Sequence, residues 1–182
     1  MMRAAIFIAA SAAIVLLSWR SLRVPRSHGF FRFFAFEILA ALILLNAPYW
    51  FREPLSPRQI VSWFLLVASA GLAIEAFRLL RVIGKPAREA ARSANLPFEN
   101  TTALVTAGAY RFIRHPMYAS LLALGLGACL KHPSAIGVAL ALGASGFLAA
   151  TSVVEERENL ARFGAGYAAY MKTTRRFVPF LI

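Results

Sequence analysis

The sequence predicts an all-α, polytopic integral membrane protein built as a single domain, and three observations carry that prediction. Hydrophobic residues make up 59% of the 182 positions and charged residues only 15%, against roughly 45–50% and about 25% in soluble domains. The apolar residues fall into five runs, at 4–19, 33–50, 60–80, 117–130 and 134–154, and a helix needs about 20 such residues to cross a bilayer. The basic residues gather between those runs: most of the 20 Lys and Arg lie within 20–32, 78–114 and 157–176. That asymmetry is the positive-inside pattern. It puts the three basic segments and the C-terminus in the cytoplasm and the N-terminus outside, in the inner membrane if the source is bacterial. The net charge of +12 then reports orientation and contact with anionic headgroups, and nucleic acid is not an expected partner.

The first run, 4–19, competes with a signal peptide because Arg3 precedes it. Trp19-Arg20-Ser21-Leu22-Arg23 offers no small-residue cleavage site, so a retained helix is expected. A basic loop follows, with Pro25 and Gly29 as breakers. The second span, 33–50, ends in an aromatic belt at Asn46-Ala47-Pro48-Tyr49-Trp50; Glu37, one turn inside its cytoplasmic end, is expected to pair with a loop arginine. The third span, 60–80, has a small-residue face at Ser69-Ala70-Gly71, and Glu75 and Arg78 are spaced for an ion pair.

Residues 81–116 form the cytoplasmic loop, interrupted by Pro86 and Pro97, with a short interfacial helix expected at 87–94. Loops this long between helices are often binding loops. Residues 117–154 are expected to form a helical hairpin turned at Lys131-His132-Pro133. Glycines at 125, 127, 137, 143 and 146 give both arms small faces. The C-terminal segment, 155–182, carries Leu160, Phe163, Tyr167, Tyr170 and Met171 at helical spacing. Gly164 and Gly166 mark an expected bend. The resulting picture is about five transmembrane helices and a cytoplasmic amphipathic helix.

Chemistry concentrates in two places. Residues 108–118 contain Tyr110, Arg111, Arg114, His115 and Tyr118, and the hairpin returns Glu155-Glu156 to the same end. Pro116 suits a first helical turn, so a basic flank with a helix start is one reading of this stretch. Tyrosines and paired carboxylates at one membrane interface favour a site. The chain has no Asp and a single cysteine, Cys129, which leaves no disulfide framework and no multi-cysteine metal site. Its three histidines lie on different loops, so no metal is expected. No nucleophile elbow or phosphate-binding loop is present. A transporter would place ionisable residues at mid-bilayer and repeat itself; this chain does neither.

The joined pattern G-x-Y-R-x-x-R-H-P-x-Y, an apolar hairpin, E-E and F-G-x-x-Y-x-x-Y resembles the isoprenylcysteine carboxyl methyltransferase family, itself related to phospholipid N-methyltransferases. The resemblance covers about residues 95–179. It implies an integral membrane methyltransferase that uses S-adenosylmethionine and releases S-adenosylhomocysteine. Carried over by motif, the cofactor contacts are Asn95, Thr102, Ala103, Leu104, Val105, Tyr110, His115, Pro116, Met117 and Tyr118. Glu155 and Glu156 fall at the substrate end, and Glu155 with Arg114 is expected to take part in catalysis. Relatives carry an arginine four residues before the first glutamate; here that position is Thr151, which leaves a prenylated cysteine carboxylate without its cation. The expected acceptor is lipophilic or small, with membrane lipids as partners. A phospholipid-type N-methyltransferase and a non-catalytic membrane scaffold or transporter are the alternatives.

Overall fold

The computed structural model describes residues 1–85, 96 and 99–179. Among them the chain forms α1 (Met2–Leu22), α2 (His28–Asn46), α3 (Pro57–Val82), α4 (Pro116–Lys131), α5 (Ala135–Phe163) and α6 (Ala165–Thr173). Short 3-10 turns occupy Ala47–Tyr49 and Gly108–Arg111, and the described residues contain no strand beyond one parallel bridge between Ile113 and Arg175. By length and composition α1, α2, α3 and α5 can cross a membrane, whereas α4, at 16 residues, is shorter. The protein is an all-α integral membrane protein.

Local chemistry decides where these helices begin and end. Ser27 caps α2 by accepting the Phe30 N–H at 3.2 Å. The helix therefore starts at His28, five residues before the expected 33, and Arg32 is buried inside it instead of sitting in a basic loop. Ser56 and Ser134 cap α3 and α5 in the same way, and Pro116 opens α4 as its fixed φ allows. The last membrane helix does not stop at residue 154. It carries Glu155 and Glu156 on to Phe163 and ends at Gly164, whose φ of +54° and ψ of −130° belong almost exclusively to glycine. Gly166, expected to share the bend, lies within α6. The short helix expected at 87–94 lies outside the described residues.

The glycine faces are used differently from a simple hairpin. A Cβ on Gly125 would lie 3.0 Å from Leu39 of α2, and one on Gly127 would lie 3.0 Å from Leu66 of α3. So α4 docks chiefly on α3 and α5 chiefly on α2, and the two arms meet each other less extensively. Ser62 and Ser69 on α3 donate to the carbonyls of Gly127 and Ser120, both at 2.7 Å, and the Asn46 amide donates to Ala128 at 2.8 Å. Such bonds between small, closely packed residues are how helices associate where lipid removes the hydrophobic drive. Outward positions such as Leu16, Phe64, Val67, Ile74 and Leu142 stay exposed and apolar, as a lipid-facing surface requires.

Two expected ion pairs are replaced by other bonds. Glu37 accepts from Ser11 of α1 at 3.0 Å, and Glu75 accepts the Ala109 N–H at 3.2 Å; neither makes an ion pair among the described residues. At the end opposite the polar clusters, the buried Lys131 ammonium lies 3.6 Å from the Trp63 ring centroid and donates to Gln59 at 3.0 Å. This cation–π contact and hydrogen bond clamp α4 to the start of α3.

Candidate active site

Residues 108–118 are held from both sides. Gly108 has φ +57°, a conformation that glycine adopts without strain, and a Cβ there would crowd the ends of the Glu75 and Leu79 side chains of α3. That turn points Tyr110 into the core. The C-terminal segment then runs alongside: Arg114 N–H donates to Arg175 O at 2.7 Å, Arg175 N–H to Phe112 O at 3.0 Å, and His115 N–H to Arg176 O at 3.1 Å. The Tyr170 hydroxyl of α6 donates to Tyr110 O at 2.6 Å. His115 caps α4 in a non-helical conformation, φ −124° and ψ 63°, as a residue before proline must.

Glu155 and Glu156 reach this stretch from α5. The Tyr118 hydroxyl donates to Glu155 at 2.5 Å. The His115 ring stacks on Tyr118 with centroids 5.4 Å apart, and its Nδ1 lies 3.7 Å from Glu155. Glu156 is buried and engaged by two guanidiniums: Arg114 Nε at 2.8 Å and Arg176 Nη2 at 2.7 Å. Arg114 also donates to the Thr174 and Met171 carbonyls at 2.6 and 3.3 Å. His115 Nε2 sits 3.4 Å from Glu156 yet makes no hydrogen bond. Thr151 turns its hydroxyl back to Phe147 O at 2.7 Å.

A second cluster closes the other wall. Glu99 is bonded by Arg32 and lies 3.2 Å from His28 Nε2, and His28 Nδ1 reaches Glu158 at 2.6 Å. Burial alone would raise the Glu99 carboxyl; the Arg32 guanidinium and the His28 ring outweigh it and hold the pKa at about 2. Tyr110 is pushed well above its usual value by burial and then by the charge of Glu155, so its ring faces the site as a neutral phenol. Burial likewise raises Tyr167 and Tyr170.

Between the two walls lies a cavity whose empty space, counted out through its open mouth, is about 770 Å³. Of the expected residues, Leu104, Val105, Tyr110, Arg114, His115, Met117, Tyr118 and Glu155 line it. Thr102 and Ala103 stand back: their N–H groups donate to Gly84 O at 2.8 and 3.2 Å and moor the loop to the end of α3. Pro116 is buried in the first turn of α4, Arg111 is exposed, and Glu156 is taken up by its two arginines. Asn95 lies outside the described residues. Sequence reasoning missed Arg32, Phe36, Glu99, Leu121 and Asn159 as lining residues. Arg32 was legible in part, because Ser27 is a good N-cap and would have drawn the helix start back to include it. Four of the chain's five tyrosines face this one space. Among the described residues no cluster of His, Cys and Glu is arranged to hold a metal ion.

In this helical membrane protein the loop after α3, the long helices and the C-terminal helix converge on one cavity of mixed polar and apolar lining, the architecture of a membrane-embedded enzyme. The sequence model of the phospholipid methyltransferase family matches residues 57–165, from α3 to the start of α6. The chain belongs to that family, which is related to the isoprenylcysteine carboxyl methyltransferases, and it is a membrane methyltransferase. No curated protein and no solved structure matches the chain. The match begins earlier than the motifs at 95–179 and leaves α1, α2 and most of α6 outside it. Methyltransferases of this family generally use S-adenosylmethionine. The lining suits that group: aromatic faces favour a sulfonium, and the Glu155 carboxylate suits the ammonium end of an amino acid.

Proposed function

We propose that the protein transfers a methyl group from S-adenosylmethionine to a lipophilic acceptor that enters its cavity from the bilayer. One observation supports this reading: the same cavity is lined by the polar residues Tyr110, His115 and Glu155 and by apolar residues of the helices, Phe36 and Leu121. A space with both kinds of wall suits a polar cofactor and an apolar acceptor together.

When bound, the cofactor supplies a methyl group on a sulfonium, open to in-line displacement. Such a reaction asks the protein mainly for positioning. Tyr110, Met117, Tyr118 and the loop residues Leu104 and Val105 would form the cofactor's walls, with His115 Nε2 offering a polar contact. Thr102 and Ala103 would act on that wall indirectly, through the mooring at Gly84. Arg114 would hold the floor together, because its Nε and Nη1 are already committed to protein oxygens. Glu156 would keep Arg114 and Arg176 in place. Tyr118 holds Glu155 in one orientation, and Glu155 carries a carboxylate bonded to no cation side chain at hydrogen-bond distance among the described residues. That placement favours a second version of the acceptor, the amine of a phospholipid headgroup, from which Glu155 would take a proton; a carboxylate or thiolate acceptor needs no base.

Calorimetry of S-adenosylhomocysteine on the detergent-purified full chain tests the reading. Binding is expected; absence of binding at about 1 mM ligand, weaker than roughly −4 kcal/mol, would overturn it. A methyl-transfer screen over prenyl-cysteine, phosphatidylethanolamine and small amphiphiles then separates the acceptors.

A further inference from the structure

Arg32 is the least explained group in the cavity. It sits in the second turn of α2, is 1% exposed, and ranks among the largest fully buried side chains. Its Nη1 is bonded to Glu99, but Nε and Nη2 make no hydrogen bond. A buried, charged donor left unpaired costs more than the roughly 1–3 kcal/mol of a neutral one, so two on a single side chain require an account. They are also a particular two. The Nε–H and the nearer Nη2–H of a guanidinium run parallel along one edge, and that edge matches the two oxygens of a carboxylate or a phosphate. Glu99 occupies the other side of the fork and fixes its plane.

The surroundings indicate what such an oxyanion would be attached to. Phe36 follows Arg32 by one helical turn, with its ring 5.8 Å from the guanidinium carbon, and Leu121 lines the same cavity. Gly29, one turn earlier, has no side chain; a Cβ there would lie 3.4 Å from Nη2. Tyr118 and Glu155 line the cavity with Arg32, so an acceptor bound there meets a cation, an apolar wall and the reacting end together.

Building on the methyltransferase reading above, we infer that Arg32 is the anchor for an anionic group on the methyl acceptor. Its Nε–Nη2 edge receives a carboxylate or phosphate, the acceptor's tail lies along Phe36 and Leu121, and its nucleophile lies toward Glu155. Arg32 stands outside residues 57–165, so it is a specificity element added by α2 to the matched domain.

The test uses three amphiphiles of one chain length, dodecyl phosphate, dodecanoate and dodecanol, titrated into the full chain in neutral detergent. The acids are expected to bind about tenfold more tightly than the alcohol, a difference near 1.4 kcal/mol, and the tighter acid identifies the oxyanion. R32Q is expected to erase that preference and R32K to keep part of it, with S-adenosylhomocysteine affinity unchanged in both. If R32Q does not fold, R32K and the wild-type comparison of acid with alcohol still decide. Equal binding of acids and alcohol by the wild type would overturn the inference, leaving that edge to water. So would an R32Q protein that retains the preference, or one that loses S-adenosylhomocysteine binding together with it, which would give that edge to the cofactor. Loss of S-adenosylhomocysteine binding by the wild type would instead defeat the methyltransferase reading, independently of any acid preference.

Discussion

Tyr118, His115 and Glu155 form a short stack in which one hydroxyl orients one carboxylate and an imidazole covers the ring. Removing parts of it should separate cofactor binding from turnover. His115→Ala is expected to weaken S-adenosylhomocysteine by about tenfold, because it removes both a wall and the buried Nε2. Tyr118→Phe keeps the ring, deletes the bond to Glu155 and should weaken the cofactor less. Glu155→Gln should leave calorimetric affinity near wild type and lower the rate of methyl transfer to whichever acceptor the screen identifies. Unchanged affinity in the His115→Ala protein would remove His115 from the cofactor wall.

At the scale of elements, the site depends on three pieces of backbone that are distant in sequence. The turn at Gly108, the far end of α5 and the segment after α6 meet at Glu156, where Arg114 and Arg176 both bind. Breaking a buried ion pair by removing one partner costs roughly 3–5 kcal/mol, and the partial exposure of Arg176 argues for the lower end. Glu156→Gln is therefore expected to destabilise the protein by about 3 kcal/mol, read as a lower Tm in detergent, and to weaken the cofactor only through loosened packing of α6. An unchanged Tm would show that the clamp contributes nothing to stability. The helices themselves were largely legible: α1, α3, α4 and α5 lie where the apolar runs predict them. Their termini were less so, because caps such as Ser27 and the glycine geometry at Gly164 act over two or three residues and leave little trace in hydropathy.

At the scale of the molecule, the placement of basic residues predicts an orientation with the cavity mouth and α6 on the cytoplasmic side. Labelling with a membrane-impermeant maleimide checks it, since native Cys129 is buried. Arg52→Cys, in the exposed connection between α2 and α3, should react in intact cells. Lys172→Cys, exposed on α6, should react only after permeabilisation; the reverse pattern would invert the topology.

Composition and charge placement by themselves determined that this chain is a helical membrane protein, and the resemblance of its Tyr, Arg, His, Pro and Glu motifs to a known family pointed to a methyltransferase. The first is a property of short stretches, set by transfer of apolar residues out of water; the second rests on the motifs' likeness. Only the tertiary structure decided which polar residues share a cavity. It withdrew Glu156 into an ion pair, moored Thr102 and Ala103 behind the wall, and brought Arg32 from an apparent loop into the site beside Glu99. Arg32 and Glu99 are far apart in sequence, and no spacing rule links them. Their meeting follows from the loop at 99–100, tied to α5 by Arg162, lying against α2 where a buried charge needs a partner, a long-range constraint that no local pattern encodes.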